Sequence, residues 1–308
     1  MKQLISFSGL IRLPNLLMIA ATQIIARYCL ILPAFKAEFF ATGIFPHYLS
    51  TPDFILLVLT TLFIAAGGYI INDYFDIHID EINKPDQNIV GKILSKKTAK
   101  SLYFILSGMG IIIGFYLAIK ADVLVMGMVP LFSAISLWMY SSFYKRRLFI
   151  GNIIVAILCS LSVLIVGLFE PEFYRNITYL LWFGILSFLL TLVREMIKDI
   201  EDMDGDELSQ CKTAPIVLGI KMTKWIITFL IFLTIVYIAF ILANNFYENT
   251  VINIWFLMGI FFIPLGGLLY LVLTATEKKD YYYASLFSKI IITAGIFTML
   301  PFWYYFLK

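Results

Sequence analysis

Stretches of about 20 mostly apolar residues recur nine times along the chain, the length a helix needs to cross the hydrocarbon core of a bilayer. They lie at roughly 10–34, 53–73, 98–119, 122–143, 150–169, 176–198, 223–244, 251–273 and 283–306. The pattern predicts an all-α integral membrane protein, a nine-transmembrane-helix bundle forming one domain over residues 1–308. Composition agrees, since 61% of the 308 residues are hydrophobic and 14% charged, where a soluble domain carries about 25% charged residues. Too few polar side chains exist to coat an aqueous surface, which excludes a soluble enzyme, a disordered chain and a nucleic-acid binder. The three cysteines, Cys29, Cys159 and Cys211, are scattered and include no C-x-x-C pair. They indicate neither a disulfide framework nor a zinc site.

Orientation follows from lysine and arginine, which accumulate on the cytoplasmic side of membrane proteins. With the N-terminus inside, 18 of the 23 basic residues fall in cytoplasmic segments and 4 outside, and Arg27 lies within the first span. The amino end is therefore expected in the cytoplasm. Arg27, together with Pro14 near the start of that span, predicts a kinked helix or one with a polar wall. The start of the chain lacks the basic head, short apolar core and small-residue cleavage site of a signal peptide, so a retained first span is expected.

Two polar segments, 74–97 and 199–222, stand apart from the other connections. Both are expected on the cytoplasmic side, four spans apart, and their placement suggests a pseudo-symmetric bundle. Gly67 and Gly68 offer a break just before the first, which runs Asn72-Asp73-Tyr74-Phe75-Asp76-Ile77-His78-Ile79-Asp80. Asn72, Asp76 and Asp80 are four apart and share one face of a helix. The second runs Arg194-Glu195-Met196-Ile197-Lys198-Asp199-Ile200-Glu201-Asp202-Met203-Asp204-Gly205-Asp206. Asp202 and Asp206 repeat the spacing, with Asp199 on nearly the same face, Lys198 one turn before Asp202, and Arg194 one turn before Lys198. His78 faces away from the aspartate stripe and reads as a surface residue, and His47 as part of an exterior loop.

One acidic cluster at the end of a span is ordinarily a solvated helix terminus. Two matched clusters on one side of a membrane point instead to a shared site. Carboxylates at the edge of a bilayer are costly unless a cation neutralises them. Carboxylate oxygens with one amide oxygen form a hard donor set suited to Mg²⁺. Two such pairs, holding two Mg²⁺, make a receptor for a diphosphate. The metals and nearby lysines would neutralise charge growing on a leaving group, and the apolar bundle would hold a hydrocarbon tail. Among the aromatic residues, 17% of the chain, some faces could stabilise a carbocation.

The run Asn72-Asp73-x-x-Asp76-x-x-x-Asp80, followed by Ile82-Asn83-Lys84-Pro85-Asp86, resembles the first signature of the UbiA superfamily of intramembrane prenyltransferases. Lys198-Asp199-x-x-Asp202-x-x-Gly205-Asp206, followed by Lys212-Thr213-Ala214-Pro215, resembles the second. The resemblance implies transfer of a polyprenyl group from an allylic diphosphate to an acceptor within the membrane. It implies that Asn72, Asp76, Asp202 and Asp206 hold two Mg²⁺, with Asp80 completing the first motif and Asp76, Asp80, Asp202 and Asp206 as the catalytic acids. Lys84, Lys198 and Lys212 become candidates for diphosphate contact, Asp199 a substrate-binding residue and Arg194 a support one turn deeper. The loops at 74–97 and 199–222 would cap the cavity and exclude water. The segment from Arg194 to Asp202 looks most like the branch that prenylates geranylgeranylglyceryl phosphate, an acceptor whose own phosphate would suit Arg194 and Lys198. Relatives often read P-D-R-P-I-P-S-G after the first motif. Here Pro85-Asp86-Gln87-Asn88-Ile89-Val90-Gly91 lacks the arginine and both later prolines, so Gln87 cannot serve as a diphosphate cation, and an aromatic acid or quinone precursor stays open as acceptor. The expected setting is a prokaryotic plasma membrane, the site facing the cytoplasm, with no nucleic-acid or obligate protein partner.

Two other functions fit part of the pattern. A cation-coupled transporter would place its acids near the bilayer midplane at broken helices, whereas these lie at span ends. Phosphatidyl transfer from a nucleotide-linked lipid would need a D-G-x-x-A-R run, which the chain lacks.

Overall fold

A computed structural model describes residues 8–36, 43, 49–83, 89–170, 177–244 and 258–301. These residues form helices α1 (Leu13–Ala26), α2 (Thr51–Phe75), α3 (Ile77–Asn83), α4 (Lys96–Lys120), α5 (Met128–Ser142), α6 (Ile150–Leu168), α7 (Ile177–Glu201), α8 (Met203–Leu208), α9 (Ala214–Leu218), α10 (Ile220–Asn244), α11 (Ile263–Thr274) and α12 (Lys278–Phe297). Among the described residues, seven helical segments are long and apolar enough to cross a membrane: Leu13–Lys36, Thr51–Phe75, Lys96–Lys120, Leu124–Ser142, Ile150–Leu168, Ile177–Glu201 and Ile220–Ala243. The shorter apolar helix Ile260–Thr274 falls in the eighth expected stretch, and α12 in the ninth. His47 and Lys84 lie outside the described residues, and so does the side chain of His78.

Capping sets several of the boundaries. Ser50 accepts a hydrogen bond from the Asp53 amide and starts α2 with Pro52 in its first turn. Ser95 does the same for α4 through the Thr98 amide at 3.1 Å. Each satisfies a donor that a helix start leaves unpaired. A reciprocal capping box between Glu277 and Asp280 starts α12 at Lys278, several residues before its apolar stretch begins.

Among the described residues three apolar cores occupy the bundle, one built on α1, α2, α6 and the start of α7, a second on α7, α10, α11 and α12, and a smaller one where Leu10, Ile70, Ile77, Val90 and Ala99 meet. Where α2 meets α4, a Cβ on Gly110 would lie 2.7 Å from Ile64, and where α5 meets α4 one on Gly114 would lie 2.6 Å from Pro130. Small residues at such crossings let backbones approach, the usual source of helix association in lipid. Gly67 and Gly68 do not break the chain as the sequence suggested. Helix α2 runs through them unbroken, because the i→i−4 ladder is intact and Leu137 and Ser107 fill the space their missing side chains leave.

The polar residue inside the first span faces a polar wall, one of the two expected outcomes. The helix loosens into a π-helical turn at Arg27–Ile31, and Arg27 is buried in an ion pair. Its Nη1 donates to Glu170 Oε1 at 2.9 Å, and its Nη2 to the Leu49 carbonyl. The Leu49 amide donates to the other Glu170 oxygen at 2.8 Å, and the Phe54 ring covers the guanidinium at 4.5 Å. At this end of the bundle the charge is paired from within, with Arg27 Nε alone left without a hydrogen-bond partner.

The two polar segments are partly helical rather than plain loops. Residues 74–75 and 199–201 belong to the long helices α2 and α7. Beyond them stand the short helices α3, α8 and α9, and a turn closed by a bridge between Val90 and Leu94.

Candidate active site

Both acidic segments bend in the same way. Helix α2 ends at Phe75, Asp76 follows at φ −93°, ψ 3°, and α3 resumes at Ile77. Helix α7 ends at Glu201, Asp202 follows at φ −91°, ψ 6°, and α8 resumes at Met203. These dihedrals fall in the bridge region between helix and extended backbone, where active-site residues often sit. The i→i−4 hydrogen bonds nonetheless run through both bends. Asp76 N donates to Asn72 O at 2.9 Å and Asp80 N to Asp76 O at 2.8 Å, while Asp202 N donates to Lys198 O at 2.9 Å and Asp206 N to Asp202 O at 3.1 Å. The four-residue register that put each acid pair on one face therefore survives the kink.

Helices α3 and α8 pack against each other, which brings the two acid sets around one cleft. Asn72, Asp76, Asp80, Lys198, Asp199, Asp202 and Asp206 all line it. The cleft encloses about 610 Å³ including its open mouth. Of the other expected residues, Arg194 turns aside, with its Nη1 on Glu195 Oε1 at 2.5 Å. Lys212 is exposed and does not line the cleft, its backbone amide donating to the Arg146 carbonyl at 3.0 Å. Lys84 lies outside the described residues.

The cleft also holds residues that the motifs did not mark: Arg12, Tyr140, Lys145, Asn152, Glu195 and Thr213. The Lys145 ammonium, from the short turn between α5 and α6, pairs with Asp76 Oδ2. The Asn72 amide nitrogen donates to the same oxygen at 2.6 Å. Burial alone would lower the Lys145 pKa, but Asp76 and then Tyr140 outweigh it and raise it above the ordinary lysine value. Arg12 donates to Asp73 Oδ1 at 3.1 Å and lies over the Tyr69 ring at 4.9 Å. Lys198 approaches Asp202 Oδ2 at 3.9 Å, and Asn152 Nδ2 donates to Asp199 Oδ2 at 2.9 Å. Burial pushes the Asp206 carboxyl up to about 6, the nearby Lys145 opposing the shift.

Signals for these residues were present in the sequence without being used for the site. Lys145-Arg146-Arg147 is a basic run on the same membrane side as the acids, and Asn152 is a polar residue at the entry of an otherwise apolar span.

Among the described residues no three His, Cys, Asp or Glu side chains converge into a ready-made metal cage. The donor set is nevertheless that of a hard cation: four carboxylates and one carboxamide, all oxygen, facing one cleft. Mg²⁺ is commonly held by one or two carboxylates, with substrate phosphates completing its shell. Two opposed acid pairs across a cleft of this size fit that arrangement.

The chain resembles known proteins over most of its length. The curated digeranylgeranylglyceryl phosphate synthase of Methanosphaera stadtmanae is 32% identical over 237 residues, 77% of this chain and 83% of that one. The synthase of the same name from Sulfurisphaera tokodaii is 35% identical over 68% of this chain and 72% of its own. A solved structure described as a digeranylgeranylglyceryl phosphate synthase in membranes superposes with a TM-score of 0.68 at 26% identity, covering 98% of each chain. The UbiA homologue of Archaeoglobus fulgidus bound to GPP and Mg²⁺ shares the fold, with a TM-score of 0.56 at 16% identity over 96% of this chain and 99% of that one. The profile of the UbiA prenyltransferase family matches residues 30–291, and with these spans, this cleft and these relatives the chain belongs to that family of integral membrane enzymes.

Proposed function

We propose that this prenyltransferase moves a geranylgeranyl group from its diphosphate to the hydroxyl of geranylgeranylglyceryl phosphate. The observation that carries this reading is the convergence of Asn72, Asp76, Asp80, Asp202 and Asp206 on one cleft that also presents Lys145 and Lys198. The acceptor follows the similarity to the digeranylgeranylglyceryl phosphate synthases.

In this reading Asn72, Asp76 and Asp80 hold one Mg²⁺, and Asp202 and Asp206 a second. Bound there, the ions supply positive charge that stabilises the diphosphate as the allylic C–O bond breaks. Lys198 adds a cation at the cleft wall, and Lys145 stands beside Asp76 within reach of the same anion. The short helices α3, α8 and α9 cap the cleft and keep water from the allylic cation. Helix α7 enters the cleft at its C-terminal end, so the apolar bundle behind it receives the prenyl chain. In the same reading the chain crosses the membrane nine times from a cytoplasmic N-terminus, and the cleft opens on the cytoplasmic face of a prokaryotic plasma membrane. The basic-residue bias and the location of Lys145, Arg146 and Arg147 beside the cleft support that orientation.

The test uses purified protein in nanodiscs with radiolabelled geranylgeranyl diphosphate and Mg²⁺. It is offered geranylgeranylglyceryl phosphate or, separately, aromatic acids and quinone precursors. Labelled ether lipid with stoichiometric pyrophosphate is the expected result. Product from an aromatic acceptor alone would overturn the acceptor assignment and leave the metal site standing.

A further inference from the structure

Transfer to a hydroxyl leaves one proton to be placed. The allylic C–O bond to the diphosphate breaks and its electron pair leaves with the diphosphate. The acceptor oxygen then bonds to that carbon, and the new ether oxygen carries its former hydroxyl proton until a base removes it. An unactivated alcohol is a weak nucleophile, so the timing of this loss matters to the rate.

The cleft offers a short choice of bases. Asn72, Asp76, Asp80, Asp202 and Asp206 are assigned to metal. Glu195 is neutralised by Arg194 at 2.5 Å. Asp73 is paired with Arg12 at 3.1 Å and does not line the cleft. Asp199 differs from all of these. It lines the cleft and accepts from Asn152 Nδ2 at 2.9 Å. Among the described residues no lysine or arginine nitrogen lies within ion-pair distance of it. A carboxamide is a neutral donor, so it fixes the direction of a carboxylate without cancelling its charge. Asn152 is itself 8% exposed, near the N-terminal end of α6, and cannot swing away.

Position points the same way. Asp199 stands three residues before Asp202 on α7, about 4.5 Å further into the bundle along the helix axis. Diphosphate held at the level of Asp202 and Asp206 puts the reacting carbon of a chain that descends into the bundle close to the level of Asp199. We propose that Asp199 is the general base that takes the acceptor hydroxyl proton, with Asn152 as the positioning residue that aims its carboxylate. This rests on the transfer to a hydroxyl acceptor proposed above. The proton passes from the acceptor oxygen to an Asp199 oxygen and returns to water after product release.

The experiment compares geranylgeranylglyceryl phosphate with an analogue carrying a thiol in place of the reacting hydroxyl. A thiol is far more acidic and more nucleophilic than an alcohol, so at alkaline pH it depends much less on a base. Asp199→Asn, which keeps shape and can still accept from Asn152, is expected to slow transfer to the hydroxyl acceptor by about 10²- to 10⁴-fold, the usual worth of a general base. With the thiol acceptor the same variant is expected to lose less than about tenfold, since the step it serves is bypassed. Inhibition by inorganic pyrophosphate with Mg²⁺, which reports the diphosphate site and the fold, is expected to stay within about threefold of wild type. Asn152→Leu is expected to lower kcat by about tenfold with the hydroxyl acceptor, with the same thiol rescue.

An Asp199→Asn enzyme as fast as wild type with the hydroxyl acceptor would show the departing diphosphate taking the proton and overturn the proposal. Equal losses with both acceptors would show Asp199 binding the acceptor rather than activating it, and would overturn it too. Wild-type protein that ignores geranylgeranylglyceryl phosphate but prenylates an aromatic carbon would overturn the acceptor reading and this inference together. Wild-type transfer to the hydroxyl with no effect of Asp199→Asn overturns this inference alone.

Discussion

The two acidic segments share a backbone and differ in how their charge is handled. In each, a 25-residue helix bends at one aspartate near φ −92°, ψ 5° and continues as a short helix of 7 or 6 residues. In the first, Asp76 is 2% exposed and its cation, Lys145, arrives from a turn 69 residues along the chain. In the second, Asp202 is more open and its nearest lysine, Lys198, is its own neighbour one turn back at 3.9 Å. The shared bend places the acids, whereas the cations are dealt unequally. One half of the site takes its counter-charge from a distant turn of the chain, and the other has a lysine of its own helix at longer range.

The largest expected effect treats the halves as equals. Asp76→Ala and Asp202→Ala should each lower prenyl transfer by at least about 10³-fold, because each removes oxygens that hold metal against charge developed in the transition state. Both variants should still insert and run as the wild-type species on gel filtration in detergent. Retained Mg²⁺-dependent turnover in either would show that the segments are not two halves of one site. Retention in both would remove the site altogether.

The bends explain why the sequence was informative about the acids and silent about the cations. Spacing of four is a local property that a continuous i→i−4 ladder preserves, so Asn72, Asp76 and Asp80 could be placed on one face before any contact was known. The long spans were legible for the same reason, since apolar length is read along the chain. Lys145 was counted only as topology, because its pairing with Asp76 depends on how α5 and α6 fold back against α2. Asn152 needed α7 to lie beside α6. The π-helical turn at Arg27 needed Glu170, 143 residues away. Helix α12 began earlier than its apolar stretch because Glu277 and Asp280 cap it, a polar signal that hydropathy ignores. Arg194 and Lys212 sit at motif positions, yet the one turns to Glu195 and the other to solvent. A side chain's direction is decided by its neighbours rather than by its register.

Breaking the inequality is the next test. Lys145→Met leaves Asp76 buried without its cation, the arrangement that costs most when half of a buried pair is removed. The expected result is twofold and opposite in sign. Mg²⁺ alone should bind more tightly, since no ammonium competes for Asp76. Transfer should slow by about 10- to 100-fold in kcat/KM for the donor, since a cation beside the diphosphate is gone. Isothermal titration with Mg²⁺ and steady-state kinetics on one preparation check both. Weaker Mg²⁺ binding would show that Lys145 supports the metal pocket rather than competing for it.

A pH test can be placed on the second segment. Burial raises Asp206 to about 6, and a protonated carboxyl is a poor Mg²⁺ ligand. Above about pH 7 the group is a carboxylate and metal affinity is at its full value. As pH falls through 6 the proton competes, and Mg²⁺ affinity should weaken by up to about tenfold for each further unit. Asp206→Asn should flatten that limb of a Mg²⁺ titration taken from pH 7.5 to 5 while lowering affinity throughout. An unchanged limb in the variant would assign the titration to another group.

The smallest effect belongs to Lys198. Its contact with Asp202 is long at 3.9 Å, and the two side chains keep 29% and 19% of their exposure. Open pairs of this kind contribute about 0–1 kcal/mol, so the pairing itself restrains neither residue much. What Lys198 offers is charge at the cleft wall, reached by a flexible four-carbon stem. Lys198→Met should therefore raise the KM for donor by about two- to fivefold with kcat nearly unchanged, the pattern of a contact made equally in ground and transition states. Set beside Lys145→Met, this small effect measures the difference between a cation held in place by tertiary structure and one supplied by the same helix. A kcat loss as large as that of Lys145→Met would mean that the ligand, once bound, draws Lys198 into the cleft and makes the two halves alike.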